Sequence, residues 1–457
     1  MRRGPPPASP GSSGRAGLGR FGRGTVLLVI GIVALAFNLR AAITSLPPVF
    51  PELSASLRLS SAALAVLASV PLLCFGVFSA AGAPLSRWFG EERVLEGALA
   101  VLAVGLLLRG VLPGVMLFPG TALAAAGIAL MNVLLPSLVK RRDPARAGWL
   151  IGIYLLSLSA GSIVSSLIAI PVYRASDGSA RLTLGLWALP AIAAALAWLP
   201  QWRYRAGPAT VPLAAAPPGA VFSGPVFSGP VASGPVVASG LVPSAVVPSA
   251  VVPGRPGRLR IHRHALTWQV TAFFGLQSLA FYAALSWLPT MFRDRGASAG
   301  QAGNLLALMN FGGALAVLLI PVLAHRAPSQ RVLIAATTGA IAVGLAGVWF
   351  APLAESAGWI LVLGFGQGAS LSLAVYFTMA RAPDPAAAAS LSAFAQGVGY
   401  LVATAGPLVV GFLHAATGSW TIPIVALLAV TGVQLAVGMQ AARARTIPGP
   451  RPAVPSQ

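Results

Sequence analysis

The chain has 457 residues, of which 56% are hydrophobic and only 9% are charged, and a mean hydropathy of +0.82 excludes an ordinary soluble protein. Its net charge of +21 would suggest nucleic-acid binding in a soluble chain, but here the basic residues lie in predicted loops and tails, where they orient a membrane protein. We therefore expect no nucleic-acid partner.

The apolar runs do not alternate with polar residues, which excludes a membrane β-barrel. The single cysteine, Cys74, excludes an internal disulfide and a cysteine metal cluster. No clustered ligands for a metal or a cofactor are seen elsewhere, and none is expected.

Twelve apolar runs, each long enough to cross a hydrocarbon core of about 30 Å, follow a basic, proline-rich tail over residues 1–24 that we expect to be disordered. The first six form a predicted N-terminal bundle over 25–202, and the second six a C-terminal bundle over 265–442, followed by a tail over 443–457. The predicted spans are 25–50, 60–84, 93–112, 114–139, 147–173, 182–202, 265–292, 299–324, 330–353, 357–381, 386–414 and 418–442.

Residues 203–264 separate the two sets with a short-period Pro/Gly/Ser repeat that reads FSGPVFSGPVASGPV and then VPSAVVPSAVVPG. Proline at this density excludes a spanning helix. A docking site for a proline-recognising partner and a flexible linker both fit this composition. We interpret the segment as a flexible cytoplasmic linker between two halves.

The distribution of Lys and Arg predicts the orientation. The two tails and the loops after the even-numbered spans hold 23 of these residues, whereas the loops on the opposite side hold five. Because positive charge is retained in the cytoplasm, both termini are predicted to be cytoplasmic and the number of spans must be even.

The two halves repeat each other. Leu46-Pro47 at the end of the first span recurs as Leu288-Pro289 at the end of the seventh, and the same offset of 242 carries Glu52 onto Asp294. A second match, at an offset of 241, carries the motif KxxDPA at 140–145 onto RxxDPA at 381–386. These matches predict a duplicated six-helix unit with both copies running in the same direction.

This organisation resembles the major facilitator superfamily. The superfamily signature after the second span is matched by Gly82, Arg87, Gly90 and Arg93, although its acidic residue is absent and one extra residue precedes the second glycine. Over about 25–202 the chain more narrowly resembles the cyanate and 2-nitroimidazole transporter branch. The matching features there are NLRAAIT at 38–44, Pro71, GEER at 90–93, Arg109, NVLLP at 132–136 and GIY at 152–154. In the second half the resemblance rests more on layout, and WLP at 287–289 and Asp294 are the clearest matches.

Arg40 is the leading candidate for substrate recognition. Counted from Thr25 it lies about 23 Å into the first span, where a charged side chain is costly unless it is paired or solvated. Its guanidinium offers a planar fork of donors that suits a small anion or a polar planar ligand. Snorkelling to the outer interface and a structural bond to a neighbouring helix are the alternatives.

Other polar residues inside the spans are candidate partners of Arg40. Those near the midplane or on the helices that line the cavity in the superfamily are Gln277, Gln367, Asn132, Tyr376, Asn310 and Gln396. Asn38 is a further candidate, although it lies about 200° around the helix from Arg40. Hydrogen bonding between helices is the alternative for each of them. Tyr154, Tyr282 and Tyr400 could stack on a planar ligand, but packing is the usual role of aromatic residues in spans.

Charged residues near the span ends are candidates for gating or coupling. Glu52 and Asp294 lie at the repeat-related outer ends, and Glu96 lies near the inner end of the third span. Arg109 lies near the outer end of that span, where snorkelling is the expected role. Since no acidic residue lies at the centre of a span, proton coupling through a buried carboxylate has little support.

The resemblance implies a secondary active or facilitative transporter of the cytoplasmic membrane, not an enzyme, that works as a monomer and moves a small anionic or polar organic solute by alternating access. A drug-efflux pump on the same fold is the first alternative. A polytopic enzyme or flippase acting on lipids is the second, but the sequence contains no HExxH, GxSxG or Walker-type motif.

Overall fold

The computed structural model describes residues 23–199, 261–327 and 329–448, and these residues form helices and short connections without strands. The α-helices are α1 (Arg23–Thr44), α2 (Phe50–Leu57), α3 (Ser61–Phe78), α4 (Gly82–Phe89), α5 (Glu91–Val111), α6 (Pro113–Arg142), α7 (Ala147–Ala175), α8 (Ala180–Gly185), α9 (Ala188–Trp198), α10 (Ala265–Asp294), α11 (Ala299–Arg326), α12 (Gln330–Phe350), α13 (Ser356–Ala380), α14 (Pro385–Ala403), α15 (Ala405–Thr417) and α16 (Thr421–Ala441).

Twelve stretches of the described chain are long and apolar enough to span a membrane, which confirms the predicted number of spans. Nine of the spans are built on one long helix each, whereas α1 with α2, α8 with α9, and α14 with α15 share a span. The predicted linker and both tails lie outside the described residues except at their edges.

The first span differs from its predicted form. Helix α1 ends at Thr44, a short 3-10 turn covers Pro47–Val49, and α2 extends the span to Leu57. Pro47 and Pro48 have no backbone N–H to donate, so a regular α-helix cannot continue through them. The α-helix that carries Arg40 therefore ends four residues after it.

The two halves meet along two seams. Helix α3 of the N-terminal half packs on α14 and α15, and α7 packs on α11. Glycines bring the backbones together there, since a Cβ placed on Gly76 would lie 3.2 Å from the carbonyl oxygen of Gly397, and one placed on Gly303 would lie 2.9 Å from that of Ser166.

The hydrophobic core shows which end of the bundle is closed. One cluster contains residues of both halves, and its members on α10 begin at Tyr282 and continue to Phe292. The other contains only C-terminal-half residues, including Phe273 near the start of α10 and Ala441 at the end of α16. The halves therefore pack together where α10 ends, here called the far end. No hydrophobic cluster of the described residues joins the halves where α10 begins, and we infer that a cleft between them opens there.

The glycines of α13 explain the close packing of the C-terminal half. Gly364 and Gly368 face α11, where an added Cβ would overlap the backbone of Met309 and Gly313. Gly366 faces α12, and its Cβ would lie 2.9 Å from the carbonyl oxygen of Thr337. Close packing of helix backbones is therefore the role of this glycine cluster.

Candidate functional site

Arg40 lies between the two halves. Its neighbours Leu39 and Ala41 are 1% exposed, whereas Arg40 itself is partly exposed in the middle of the span. Its Nη1 donates a hydrogen bond of 3.1 Å to the hydroxyl of Tyr282 on α10 in the opposite half. The guanidinium is therefore turned towards α10 of the opposite half, which disfavours the alternative of snorkelling to the outer interface.

Aromatic rings surround this guanidinium. The ring centroids of Phe281 and Tyr282 each lie 5.9 Å from its central carbon, a distance at which a cation is attracted by the ring. Tyr154 and Tyr400 lie close enough to Arg40 to interact with its charge. Four helices, α1, α7, α10 and α14, thus contribute one arginine and three tyrosines to one place, here called the Arg–Tyr site.

The tyrosines of the Arg–Tyr site are held by their neighbours. The hydroxyl of Tyr154 donates to Oδ1 of Asn132 at 3.4 Å, which connects α7 to α6. The ring of Tyr400 makes edge contacts with Phe75 and Phe274 at centroid distances of 5.4 and 5.5 Å. Because Phe75 belongs to the N-terminal half and Phe274 to the other, Tyr400 is anchored on both halves.

None of the nine carboxylates of the chain pairs with Arg40. All nine lie in the part of the chain that the structure describes, at the following positions: Glu52, Glu91, Glu92, Glu96, Asp143, Asp177, Asp294, Glu355 and Asp384. The ion pairs of these groups are made with other basic residues, chiefly Arg141, Arg146 and Arg293. Since tyrosine is neutral at physiological pH, the Arg–Tyr site carries an uncompensated positive charge.

Two glutamines that were predicted to bind substrate lie on or beside this part of α10. Gln367 on α13 donates to the carbonyl of Ala280 at 3.5 Å, and its buried Oε1 has no partner. Gln277 is buried and donates to the hydroxyl of Ser278 at 2.6 Å and to the carbonyl of Phe274 at 3.1 Å. Gln367 retains an acceptor without a partner among the described residues, but the side chain is 1% exposed, so a ligand reaches it only if its neighbours move; the amide nitrogen of Gln277 is already bonded.

The structure distributes the other candidates over separate places. Asn38 is bonded to the carbonyls of Ala34 and of Pro190 on α9, so its amide faces the interior of the N-terminal half. Asn310 lies in the α7–α11 seam and exchanges hydrogen bonds with the hydroxyls of Ser162 and Ser166. These contacts favour structural roles for Asn38 and Asn310.

Two further candidates make no contact with the tyrosines of the site among the described interactions. Gln396 donates to Ser392 one turn earlier on its own helix, and the ring of Tyr376 lies 6.1 Å from that of Phe377. Both side chains are partly exposed. Their role in substrate binding stays a prediction.

Arg109 does not snorkel. It is 1% exposed and lies on α5, where its Nη1 donates to the carbonyl of Ala42 in the last turn of α1 at 3.3 Å. The carbonyl end of a helix carries partial negative charge, which accounts for the attraction of a cation to this place. The Nε and Nη2 groups have no hydrogen-bond partner among the described residues, and Arg109 borders a cavity of about 10 Å³, the space of one water molecule, which Thr121 also lines. The hydrogen bond from Arg109 thus stabilises the end of α1.

The far end is closed by contacts between the halves. Glu52 on α2 forms an ion pair with Arg293 near the end of α10. Nearby, the rings of Phe50 and Trp287 meet edge to face at 6.1 Å. Glu52 therefore occupies the gating position predicted for it, although its role in gating stays a prediction.

The repeat-related residue Asp294 makes different contacts. It accepts a hydrogen bond of 2.8 Å from the indole of Trp420, and the ring of His414 stacks on that indole at 3.8 Å. These three residues belong to the C-terminal half alone. Glu96 lies on α5, and one of its carboxylate oxygens is buried without a hydrogen-bond partner among the described residues. None of the described contacts joins Glu96 to the Arg–Tyr site.

Reversing one charge of the Glu52–Arg293 pair is expected to open the far end. The side chain of Glu52 is 13% exposed and that of Arg293 is 28% exposed, so their attraction lies between that of surface and buried ion pairs, about 1–3 kcal/mol. Losing it would change the ratio of open to closed far ends by about 5- to 150-fold. Ser286, buried on α10 close to Trp287, serves as a reporter when changed to cysteine in a Cys74→Ser background. Glu52→Arg or Arg293→Glu should increase its labelling by an impermeant maleimide.

The double variant Glu52→Arg/Arg293→Glu restores the opposite charges in reversed order and should return the labelling towards that of the parent. Equal labelling in the double and single variants would contradict a role of this pair in closing the far end.

The sequence comparison places these features in a family. Residues 26–407 match the model of the Major Facilitator Superfamily. The chain is 35% identical over 426 residues to an uncharacterized transporter, YycB, of Bacillus subtilis, covering 92% of this chain and 94% of that protein. It is 33% identical to a 2-nitroimidazole transporter of Escherichia coli (93% and 98% covered) and 27% identical to the cyanate transport protein CynX of the same species (86% and 91%).

Solved structures share the fold at low sequence identity. A bacterial homologue of the human lysosomal transporter Spinster, in an inward-facing and unoccupied conformation, matches with a TM-score of 0.66 and 16% identity over 92% of this chain and 97% of that chain. The nucleoside transporter NupG matches with a TM-score of 0.65 and 10% identity over 91% of this chain and 99% of that chain. 

Proposed function

The chain belongs to the Major Facilitator Superfamily, and from this premise we propose that it carries a small anionic or planar polar organic solute that Arg40 binds in the cleft. It is a multi-pass transporter of the cell membrane with twelve spans. The two-halved architecture suits alternating access, in which the cleft opens to one side of the membrane at a time.

The observation that carries the proposal is the uncompensated guanidinium of Arg40 at the surface of the cleft. A planar fork of donors recognises carboxylates, nitro groups and other planar acceptors in a directed way. The rings of Phe281 and Tyr282 lie against this guanidinium and offer flat apolar surfaces beside it. A suitable solute would have a charged or strongly polar group that binds Arg40. The rest of the solute, a flat ring or a short linear body, would lie between the tyrosines.

The relatives agree with this class of solute. One is named for 2-nitroimidazole, a planar heterocycle with a nitro group, and another for cyanate, a small linear anion. A third, a putative anionic 4-hydroxy-benzoate permease of Thauera aromatica, is 40% identical over only 89 residues. These solutes are small, flat or linear, and rich in hydrogen-bond acceptors.

The orientation follows from the charge distribution along the sequence. Since the basic loops and tails are placed in the cytoplasm, the cleft of this structure opens to the cytoplasm and the far end lies outside. The Glu52–Arg293 pair then belongs to the closed outer gate. We further propose that one chain suffices for transport, since the cleft is formed between the halves of a single chain.

An efflux pump for lipophilic cations is the second candidate on the same fold. Such a pump would need negative charge in the cleft. In the described part of the chain, the charged side chain that contacts the tyrosines is the positive one of Arg40. A lipid-acting enzyme is disfavoured because no group of three or more potential metal ligands occurs among the described residues and the superfamily consists of transporters.

A thermal-shift screen tests the proposed solute class. Cyanate, nitrate, benzoate and 2-nitroimidazole are added to the detergent-purified protein, and a binding solute at a hundredfold excess over its Kd should stabilise the folded state by about 2.7 kcal/mol and raise the Tm. Arg40→Gln should lose the shift, whereas Arg331→Gln, an exposed arginine at the start of α12, should retain it.

Stabilisation by lipophilic cations alone would favour the efflux pump. A shift by an anion that persists in Arg40→Gln would keep the transporter of anions but remove Arg40 from its binding site.

A further inference from the structure

The charge of the cleft is unbalanced in the empty carrier. Arg40 contacts neutral tyrosines, and none of the nine carboxylates of the chain pairs with it. The open conformation leaves the guanidinium partly exposed, so water in the cleft can solvate it. The empty protein is thus compatible with this charge as long as one end of the cleft is open.

Closing the cleft changes this situation. To change from one open conformation to the other, the carrier has to pass through a state in which both ends are closed and most of the water around Arg40 has left. Burying a cation without a counter-charge is strongly unfavourable, and the Tyr282 hydroxyl and the two rings compensate only part of the lost hydration. A bound monovalent anion neutralises the guanidinium and removes this barrier.

The other buried arginine does not alter the balance of the cleft. Arg109 is enclosed by helices of the N-terminal half and bonded to the carbonyl of Ala42, so its surroundings remain together when the halves move relative to each other. Of these two arginines, Arg40 is the one whose surroundings change when the halves move, because it joins α1 to α10 across them.

We propose that this transporter is an obligatory anion exchanger, in which the carrier changes its open side only with a monovalent anion bound to Arg40. One anion leaves the cell as another enters it, so the exchange moves no net charge across the membrane. This inference rests on the proposed function, because it requires the solute bound at Arg40 to be an anion.

The test measures efflux from proteoliposomes that contain the purified full-length chain. The vesicles are loaded with the potassium salt of isotope-labelled cyanate, nitrate or benzoate and diluted into medium with either the same unlabelled anion or the bulky anion gluconate. Valinomycin is added so that potassium can follow any net anion movement. For at least one of the three probes, we expect efflux at least tenfold faster into the medium with the same anion, with or without valinomycin.

Two results would overturn the inference in different ways. Equally fast efflux of a probe into gluconate in the presence of valinomycin would show net transport, which removes the exchange mechanism but keeps the proposed function. Efflux of all three probes at the rate of protein-free vesicles would remove the proposed transport of small anions together with the inference.

Matched variants connect the exchange to the charge of Arg40. Arg331→Gln should retain the stimulation by external anion. Arg40→Gln, checked for a monodisperse profile in size-exclusion chromatography, should lose the stimulation to within twofold. An Arg40→Gln protein that still exchanges the anion tenfold faster than it releases it into gluconate would exclude Arg40 as the origin of the coupling.

Discussion

Replacing Arg40 with alanine is expected to abolish transport while the protein still inserts into the membrane. Removing one partner of a desolvated charge interaction costs about 2–5 kcal/mol, which corresponds to a roughly 30- to several-thousand-fold loss in solute affinity. Arg40 makes its side-chain hydrogen bond to Tyr282 alone among the described residues, so its removal deprives the fold of little. Uptake into proteoliposomes and the amount of folded protein are measured side by side.

Arg40→Lys separates charge from shape. Lysine retains the positive charge but lacks the planar fork of donors, so we expect partial transport with a raised KM. Arg331→Ala is the matched control and should transport like the parent. Loss of folded protein in Arg40→Ala would instead assign Arg40 a structural role in joining α1 to α10.

Replacing Gly364 with valine is expected to prevent the C-terminal half from folding. A Cβ at this position would overlap the backbone of Met309 on α11, and the two helices are in contact along much of their length. Overpacking a core costs about 1–3 kcal/mol when side chains can move aside, and a clash with backbone atoms costs more because the helices themselves must separate. The yield of monodisperse protein after detergent extraction measures the effect.

Gly358 offers a control on the same helix. A Cβ added there meets no atom within 4 Å, so Gly358→Val introduces the same residue type into α13 without a clash. We expect a yield near that of the parent. Similar losses of yield in both variants would show that valine in α13 is harmful for a reason other than the α11 contact.

The sequence by itself determined the architecture and the place of the leading charge. The twelve spans, their division into two sets of six and the resemblance to the superfamily all follow from hydropathy and short motifs, which are properties of contiguous residues. Arg40 was identifiable for the same reason, since a charged side chain at that depth is costly wherever its helix is placed.

A further signal was present in the sequence without being used. The offset of 242 that relates the two halves carries Arg40 onto Tyr282, its hydrogen-bond partner. In a duplicated bundle, equivalent positions on the first and seventh spans can meet near the axis between the halves. Applying the offset to each polar residue would have selected Tyr282 for the site.

Only the tertiary structure decided which side chains meet. It brought Tyr154, Tyr282 and Tyr400 from three helices to Arg40, buried Arg109 instead of leaving it at the membrane surface, and turned Asn38 towards α9. These outcomes depend on how each helix is rotated about its axis and on how closely it packs against its neighbours. In helices that are apolar on all sides the sequence has little amphipathic signal to set that rotation, so glycine contacts, proline breaks and packing between helices determine it.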